Sequence, residues 1–280
     1  MEKQGVVTPW ISAFEQNLIS EEKSENTVQK YMRDVKKFIL YLNGEAVRKE
    51  TVLAYKEYLK DQYSVVSANS MIASLNSFLK FAGWGEFCIR QFKVQRKTFC
   101  SEEKELTERE YRALVTAAER KKNDRLSLLI QTICATGIRV SELSYITLEA
   151  VKAGQVTVSC KGKTRCVFIV SALRKKLVHY AKAQGIERGM LFVTKGGKAL
   201  DRSNIWHEMK GLCKDAGVNP NKVFPHNLRH LFARTFYGIE KDIAKLADIL
   251  GHSSINTTRI YLISDGAEHR RKMERMRLIL

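Results

Sequence analysis

The stretch 155-QVTVSCKGKTRCVFIV-170 is where the chain changes its period. Two runs rich in β-branched residues, QVTVSC and RCVFIV, flank a short KGKT connection. Such a pattern reads as two strands and a turn, a β-hairpin with Gly162 in the turn and Lys161 at the tip. On both sides of it apolar residues recur every three or four positions, the spacing of a helix with one buried face. The predicted class is therefore mainly α with a small antiparallel β-sheet.

Working outward from the hairpin, Thr107 and Glu110 form a capping box ahead of Tyr111, Leu114, Val115 and Ala118. A second helix runs through Leu126 to Ile133 and stops at Gly137. Beyond the hairpin, helices are expected over 171–184 with Gly185 as the stop, over 201–216 after Asp201, and over 225–237 with Pro225 in the first turn. Further helices are expected over 242–250 before Gly251, in a short segment carrying Tyr261, and from about 266. The first 85 residues read as four helices: one through Trp10, Phe14 and Leu18, one from Ser24 to a stop at Gly44, one through Val52, Tyr55 and Leu59, and one from a Ser67 cap to Gly83. Between them, 90-RQFKVQRKTFCSEEKE-105 loses periodicity and is mostly polar and charged. The expected organisation is a helical domain over 1–90, a basic linker over 91–105 and a second domain over 106–280.

Composition bounds the function. With 280 residues and 44% hydrophobic content the chain can bury a sizeable core, and its longest apolar runs are too short to span a bilayer. The start, MEKQGVVTPW, lacks the pattern of a secretory signal, and cytoplasmic residence is expected. Cys88, Cys100, Cys134, Cys160, Cys166 and Cys213 form no CxxC pair and read as free thiols rather than disulfides or zinc ligands. The net charge of +18 points to a polyanionic partner, because clustered Lys and Arg displace the counterions of nucleic acid. That charge is uneven: residues 1–100 hold 15 basic and 11 acidic groups (+4), leaving 33 basic and 19 acidic (+14) in 101–280.

GKT at Gly162 to Thr164 imitates the end of a phosphate-binding loop, but that motif needs a glycine where position 157 is Thr. A nucleoside triphosphatase is excluded on that ground. No DxD or HExxH arrangement offers ligands for divalent-metal phosphoryl transfer, so no metal is assigned. What remains is a dispersed cationic set. Arg139 follows the Gly137 break, Lys161 sits at the hairpin tip, His226 and Arg229 lie at i and i+3 in 225-PHNLRH-230, and His252 precedes Tyr261 in 251-GHSSINTTRIYL-262. Singly, each has an ordinary explanation as a cap, a solvated lysine or a packing aromatic. Together they suit phosphodiester cleavage without a metal. Two guanidiniums neutralise the non-bridging oxygens, a phenol attacks phosphorus, and a lysine protonates the departing oxygen.

These residues resemble the tyrosine recombinases, or phage-type integrases, in ATGIRVSEL around Arg139, the KGKTR hairpin, PHNLRH, and GHSSINTTRIY ending at Tyr261. The likeness covers most of residues 105–265, with spacings from Arg229 to His252 and from His252 to Tyr261 similar to those of Xer-like site-specific recombinases. It implies an N-terminal helical core-binding (SAM-like) domain plus a C-terminal tyrosine recombinase catalytic domain, forming a C-shaped clamp on DNA. It further implies that Tyr261 attacks the scissile phosphate to leave a 3′-phosphotyrosine and a free 5′ hydroxyl. Arg139 and Arg229 would clamp the phosphate, His226 and His252 would assist, and Glu142 would support the cations. Lys161 would protonate the leaving oxygen, with Lys163 the competing candidate; Lys163, Arg165, Arg96 and Lys97 are the expected DNA contacts. His230 reads as structural. No cofactor is implied. The implied partners are double-stranded DNA with inverted-repeat half-sites, three further copies in a homotetramer on that DNA, and accessory DNA-bending proteins, in a bacterial cytoplasm and on the nucleoid when bound. The tail 266-GAEHRRKMERMRLIL-280 would dock on a neighbouring protomer. Rival readings are a type IB topoisomerase, with the same chemistry and no fixed site, and a DNA-binding regulator that kept the fold without the reaction. Integration, excision, inversion and dimer resolution stay open.

Overall fold

The apolar positions of the first segment form four helices in a computed structural model that describes residues 7–94, 105–160, 163–194, 196–262 and 273–276. The chain divides into two compact units, Met1–Arg96 and Lys97–Leu280. In the first, α1 (Val7–Ser20), α2 (Glu25–Leu42), α3 (Lys49–Gln62) and α4 (Val65–Phe81) turn their apolar stripes inward. Phe14, Val35, Phe38, Leu59, Ile72 and Phe78 are wholly buried, each contributing roughly 1.5–3 kcal/mol. Two polar groups go in with them: the buried Asp34 carboxylate accepts from Lys30 Nζ at 2.7 Å and from the buried Ser74 Oγ at 3.0 Å, tying α2 to α4. The α4 cap is Ser64, not Ser67; Ser64 is extended and accepts from the Ser67 N–H at 3.3 Å. Val65 and Val66 in the first turn are exposed, which is why the apolar period hid that turn.

The second unit begins with α5 (Glu108–Arg120), whose Thr107–Glu110 capping box is formed, and α6 (Asp124–Thr136), which Gly137 ends at φ +63°. A 3-10 turn over Val140–Tyr145 and α7 (Leu148–Ala153) lead into β1 (Gln155–Cys160) and β2 (Lys163–Phe168). The strands are antiparallel, pairing Gln155 with Phe168 through Cys160 with Lys163. The second strand thus starts two residues before RCVFIV, because Lys163 and Thr164 join the ladder. Gly162 and Lys161 lie outside the described residues. Strand alternation puts Arg165, paired with Val158, on the same face as buried Val158 and Val167, while Phe168 points outward.

Then follow α8 (Ser171–Ala183), α9 (Arg202–Lys210), α10 (Cys213–Ala216), α11 (Pro225–Glu240), α12 (Ile243–Leu250), α13 (Ile255–Arg259) and a 3-10 turn over Ile260–Leu262. The single helix expected over 201–216 is two, broken at Gly211, a residue that costs about 1 kcal/mol inside a helix. Helix α11 runs three residues past Tyr237, since Gly238 is tolerated within it and Lys241 in the left-handed region ends it. Tyr261 sits in the 3-10 turn after α13. Of the expected last helix, only Met273–Met276 are described, with Met273 and Met276 exposed. No described helix is long and apolar enough to cross a membrane. The core of this unit gathers around α6, with Leu129, Ile130 and Ile133 buried against α5, α8 and α11.

Candidate active site

Helix ends build the site. An α-helix leaves its last carbonyls without intrahelical partners, and these carry the negative end of the helix dipole. At the end of α12 three successive carbonyls each take a guanidinium: Ile249 O accepts from Arg165 Nη1 at 2.9 Å, Leu250 O from Arg229 Nη2 at 2.6 Å, and Gly251 O from Arg139 Nη2 at 3.2 Å. The carbonyl of Gly137, closing α6, accepts from Arg229 Nη1. Gly251 is required here twice over. Its φ is +64°, and a Cβ would lie 2.4 Å from the Arg165 side chain.

Glu142 supplies the full negative charge. Its carboxylate accepts from the Arg139 N–H at 2.9 Å, from Arg139 Nη1 at 2.9 Å and from Arg165 Nη2 at 2.6 Å. Burial alone would raise its pKa, but the Arg139 N–H and the two guanidiniums outweigh that and hold it below the usual carboxylate value. Glu142 thereby ties Arg139 and Arg165 together. Glu142→Gln should therefore lower stability by about 1–3 kcal/mol, by weakening charge-assisted bonds to two part-buried cations. A thermal unfolding curve matching wild type would contradict this.

Arg229 is 2% exposed, and its Nε is buried with no hydrogen-bond partner among the described residues. Burial, with Arg139 nearby, lowers its pKa to about 10, still charged at neutral pH. Arg139 keeps more of its side chain open, 31% exposed, and lines two concavities. One, of about 760 Å³, is bordered by Ser141, Arg202, Trp206, His226 and Arg229; the other, of about 740 Å³, by Glu142, Thr164, Arg165, His252 and Ser253. A guanidinium between two open clefts can meet an extended anionic strand.

Tyr261 is 5% exposed and ringed by histidines. Its hydroxyl lies 3.4 Å from His226 Nε2, and its ring lies 4.2 Å from that of His230 and 5.3 Å, stacked, from that of His252. His230, read from the sequence as structural, lies one helical turn from His226, on the same face, and packs on the tyrosine. His252 accepts at Nε2 from Arg229 Nη2 (3.0 Å) and meets Thr258 Oγ1 through Nδ1 at 2.9 Å. Burial first, and then neighbouring cations, lower the pKa of His226 and bring those of His230 and His252 to about 4. Unfolded, His230 and His252 take up protons near 6.5, so between 6.5 and 4 the unfolded chain binds more. Stability should fall as pH drops from 7 to 5, a range in which ordinary carboxylates stay ionised. Melting temperatures at pH 7, 6 and 5 check this, and a flat or rising series would refute it.

The structure therefore brings Arg139, Glu142, His226, Arg229, His252 and Tyr261 into one site. Arg165 joins them, turned inward by strand parity, with its side chain 9% exposed rather than on an open DNA-facing surface. Lys163 opens β2. Lys161, Arg96 and Lys97 lie outside the described residues. Sequence reasoning passed over Arg202, Trp206 and Thr258; the i, i+4 spacing of Arg202 and Trp206 after the Asp201 cap is the signal that could have found the first two.

Residues 104–268 match the family model described as "Phage integrase family", and residues 11–86 match "Phage integrase, N-terminal SAM-like domain". The tyrosine recombinase XerA of Pyrococcus furiosus is 30% identical over 280 residues, covering 96% of this chain and 94% of that protein. Among solved structures, a XerA recombinase is similar at 26% identity and a TM-score of 0.55, covering 97% of this chain and 99% of that one. A lambda integrase dimer bound to a COC′ core site shares the fold at 20% identity and a TM-score of 0.74, covering 92% of this chain and 77% of that one.

Proposed function

The chain belongs to the phage integrase family, and from that premise we propose that Tyr261 is the nucleophile with which it breaks and rejoins DNA strands. It is a site-specific recombinase acting by the tyrosine mechanism. The observation that carries the assignment of roles is the Tyr261 hydroxyl, beside His226 and against Arg229, whose guanidinium is held on helix carbonyls.

In the proposed reaction Arg139 and Arg229 hold the scissile phosphate. His226, kept neutral by burial and nearby arginines, takes the phenolic proton as the Tyr261 oxygen attacks phosphorus. A P–O bond to tyrosine forms, and the P–O5′ bond breaks. The 5′ oxygen receives a proton from a lysine of the hairpin, Lys161 or Lys163. Attack by a 5′ hydroxyl on the phosphotyrosine reverses each step and restores Tyr261. The substrate is duplex DNA with inverted half-sites, bound by four copies with accessory DNA-bending proteins in the cytoplasm. Arg96 and Lys97 would contact its backbone.

The test is a duplex carrying a site recovered by selection from a random library, nicked so that the cleaved end diffuses away. A covalent protein–DNA adduct is expected without added metal. Absence of the adduct would overturn the proposal, and relaxation of supercoiled plasmid lacking any such site would point to a topoisomerase instead.

A further inference from the structure

Thr258 is wholly buried, although it is polar and sits on the short helix leading to Tyr261. Its hydroxyl oxygen is 2.9 Å from His252 Nδ1. The other ring nitrogen, Nε2, lies 3.0 Å from Arg229 Nη2, and a guanidinium can only donate. His252 Nε2 must therefore carry a lone pair. In a neutral imidazole the proton then resides on Nδ1, and among the described residues its acceptor is the Thr258 hydroxyl.

We infer that Thr258 is a positioning residue for the reaction: its hydroxyl holds His252 as the Nδ1–H tautomer, aiming the Nε2 lone pair at Arg229 and so fixing the guanidinium that would hold the phosphate. The inference rests on the proposed recombinase reading for its catalytic consequence, but not for the hydrogen bond itself. The geometry also links two events. Thr258 and Tyr261 are three residues apart on one segment, so docking the tyrosine and setting the His252 tautomer occur together. With the segment withdrawn, His252 loses that partner and its ring is released to turn or to move the proton to Nε2. A donor at Nε2 facing Arg229 would leave the arginine without that acceptor and present N–H to N–H.

The experiment compares wild type, Thr258→Ser and Thr258→Val. Nitrogen-15 NMR of the histidine rings, with His252→Gln used to assign the signal, reads the tautomer in DNA-free protein. Single-turnover adduct formation on the nicked duplex reads catalysis. Serine keeps the hydroxyl and should keep both the Nδ1–H signature and a near wild-type rate. Valine keeps the shape without the hydroxyl; it should shift His252 toward Nε2–H and slow the adduct on the order of 10- to 100-fold, a part of what a correctly protonated acid or base contributes. An unchanged tautomer in Thr258→Val overturns the inference, as does a wild-type rate, or a Thr258→Ser protein as slow as the valine variant. If wild type itself forms no adduct, the recombinase roles fall, while the NMR comparison still decides whether Thr258 sets the tautomer.

Discussion

Tyr261→Phe should form no covalent adduct with the nicked duplex while folding and binding DNA as wild type does. The substitution removes one oxygen from a ring whose packing against His230, His252, Leu246 and Leu250 is otherwise kept. The hydroxyl lies 3.4 Å from His226 Nε2 and also accepts from Arg229, so its loss should cost about 1–2 kcal/mol of stability. Binding rests on phosphate neutralisation by many basic groups and is untouched. Cleavage loses its proposed nucleophile, and the rate should fall on the order of 10⁴-fold or more. Persistence of the adduct in Tyr261→Phe would move the nucleophile elsewhere; loss of both folding and binding would make the ring, not the oxygen, the important part.

The second large effect is expected at Arg229. Alanine there removes a fully buried side chain and leaves the carbonyls of Gly137 and Leu250 without their donors. The cost should be about 2–5 kcal/mol of stability. That corresponds to roughly 5–15 °C in melting temperature for a unit of this size. Cleavage should drop on the order of 10³-fold, because a preorganised cation aimed at the developing charge is gone. Arg229→Lys separates the two effects. An ammonium restores charge but lacks the planar fork that bridges Gly137, Leu250 and His252 at once. It should regain part of the stability and little of the rate. A lysine variant equal to wild type in both would mean that charge alone, not the fork, is needed.

Much of the site was legible because its parts are short-range. Gly137 before Arg139, His226 and Arg229 within one turn, and Gly251–His252 ahead of Tyr261 are local patterns, and the helix stops at both glycines follow from their positive φ. The packing of His230 on the tyrosine is local too, since four residues from His226 is the same face of a helix. Arg165 is different. Its direction depends on the hairpin register, which composition leaves open, and on Glu142 and Ile249 waiting 23 and 84 residues away.

The sequence by itself determined where helices start and stop, that one hairpin interrupts them, and which side chains could perform phosphoryl chemistry. Each of these depends on propensity, capping and period within a few residues. Only the tertiary structure decided what holds those side chains. The carbonyls of Ile249, Leu250 and Gly251 are identical to any others in the chain until α12 ends against β2 and α11. Once it does, three arginines distant in sequence find the same unsatisfied helix end, and the cations proposed to hold the phosphate are fixed by groups that carry no side-chain signature at all.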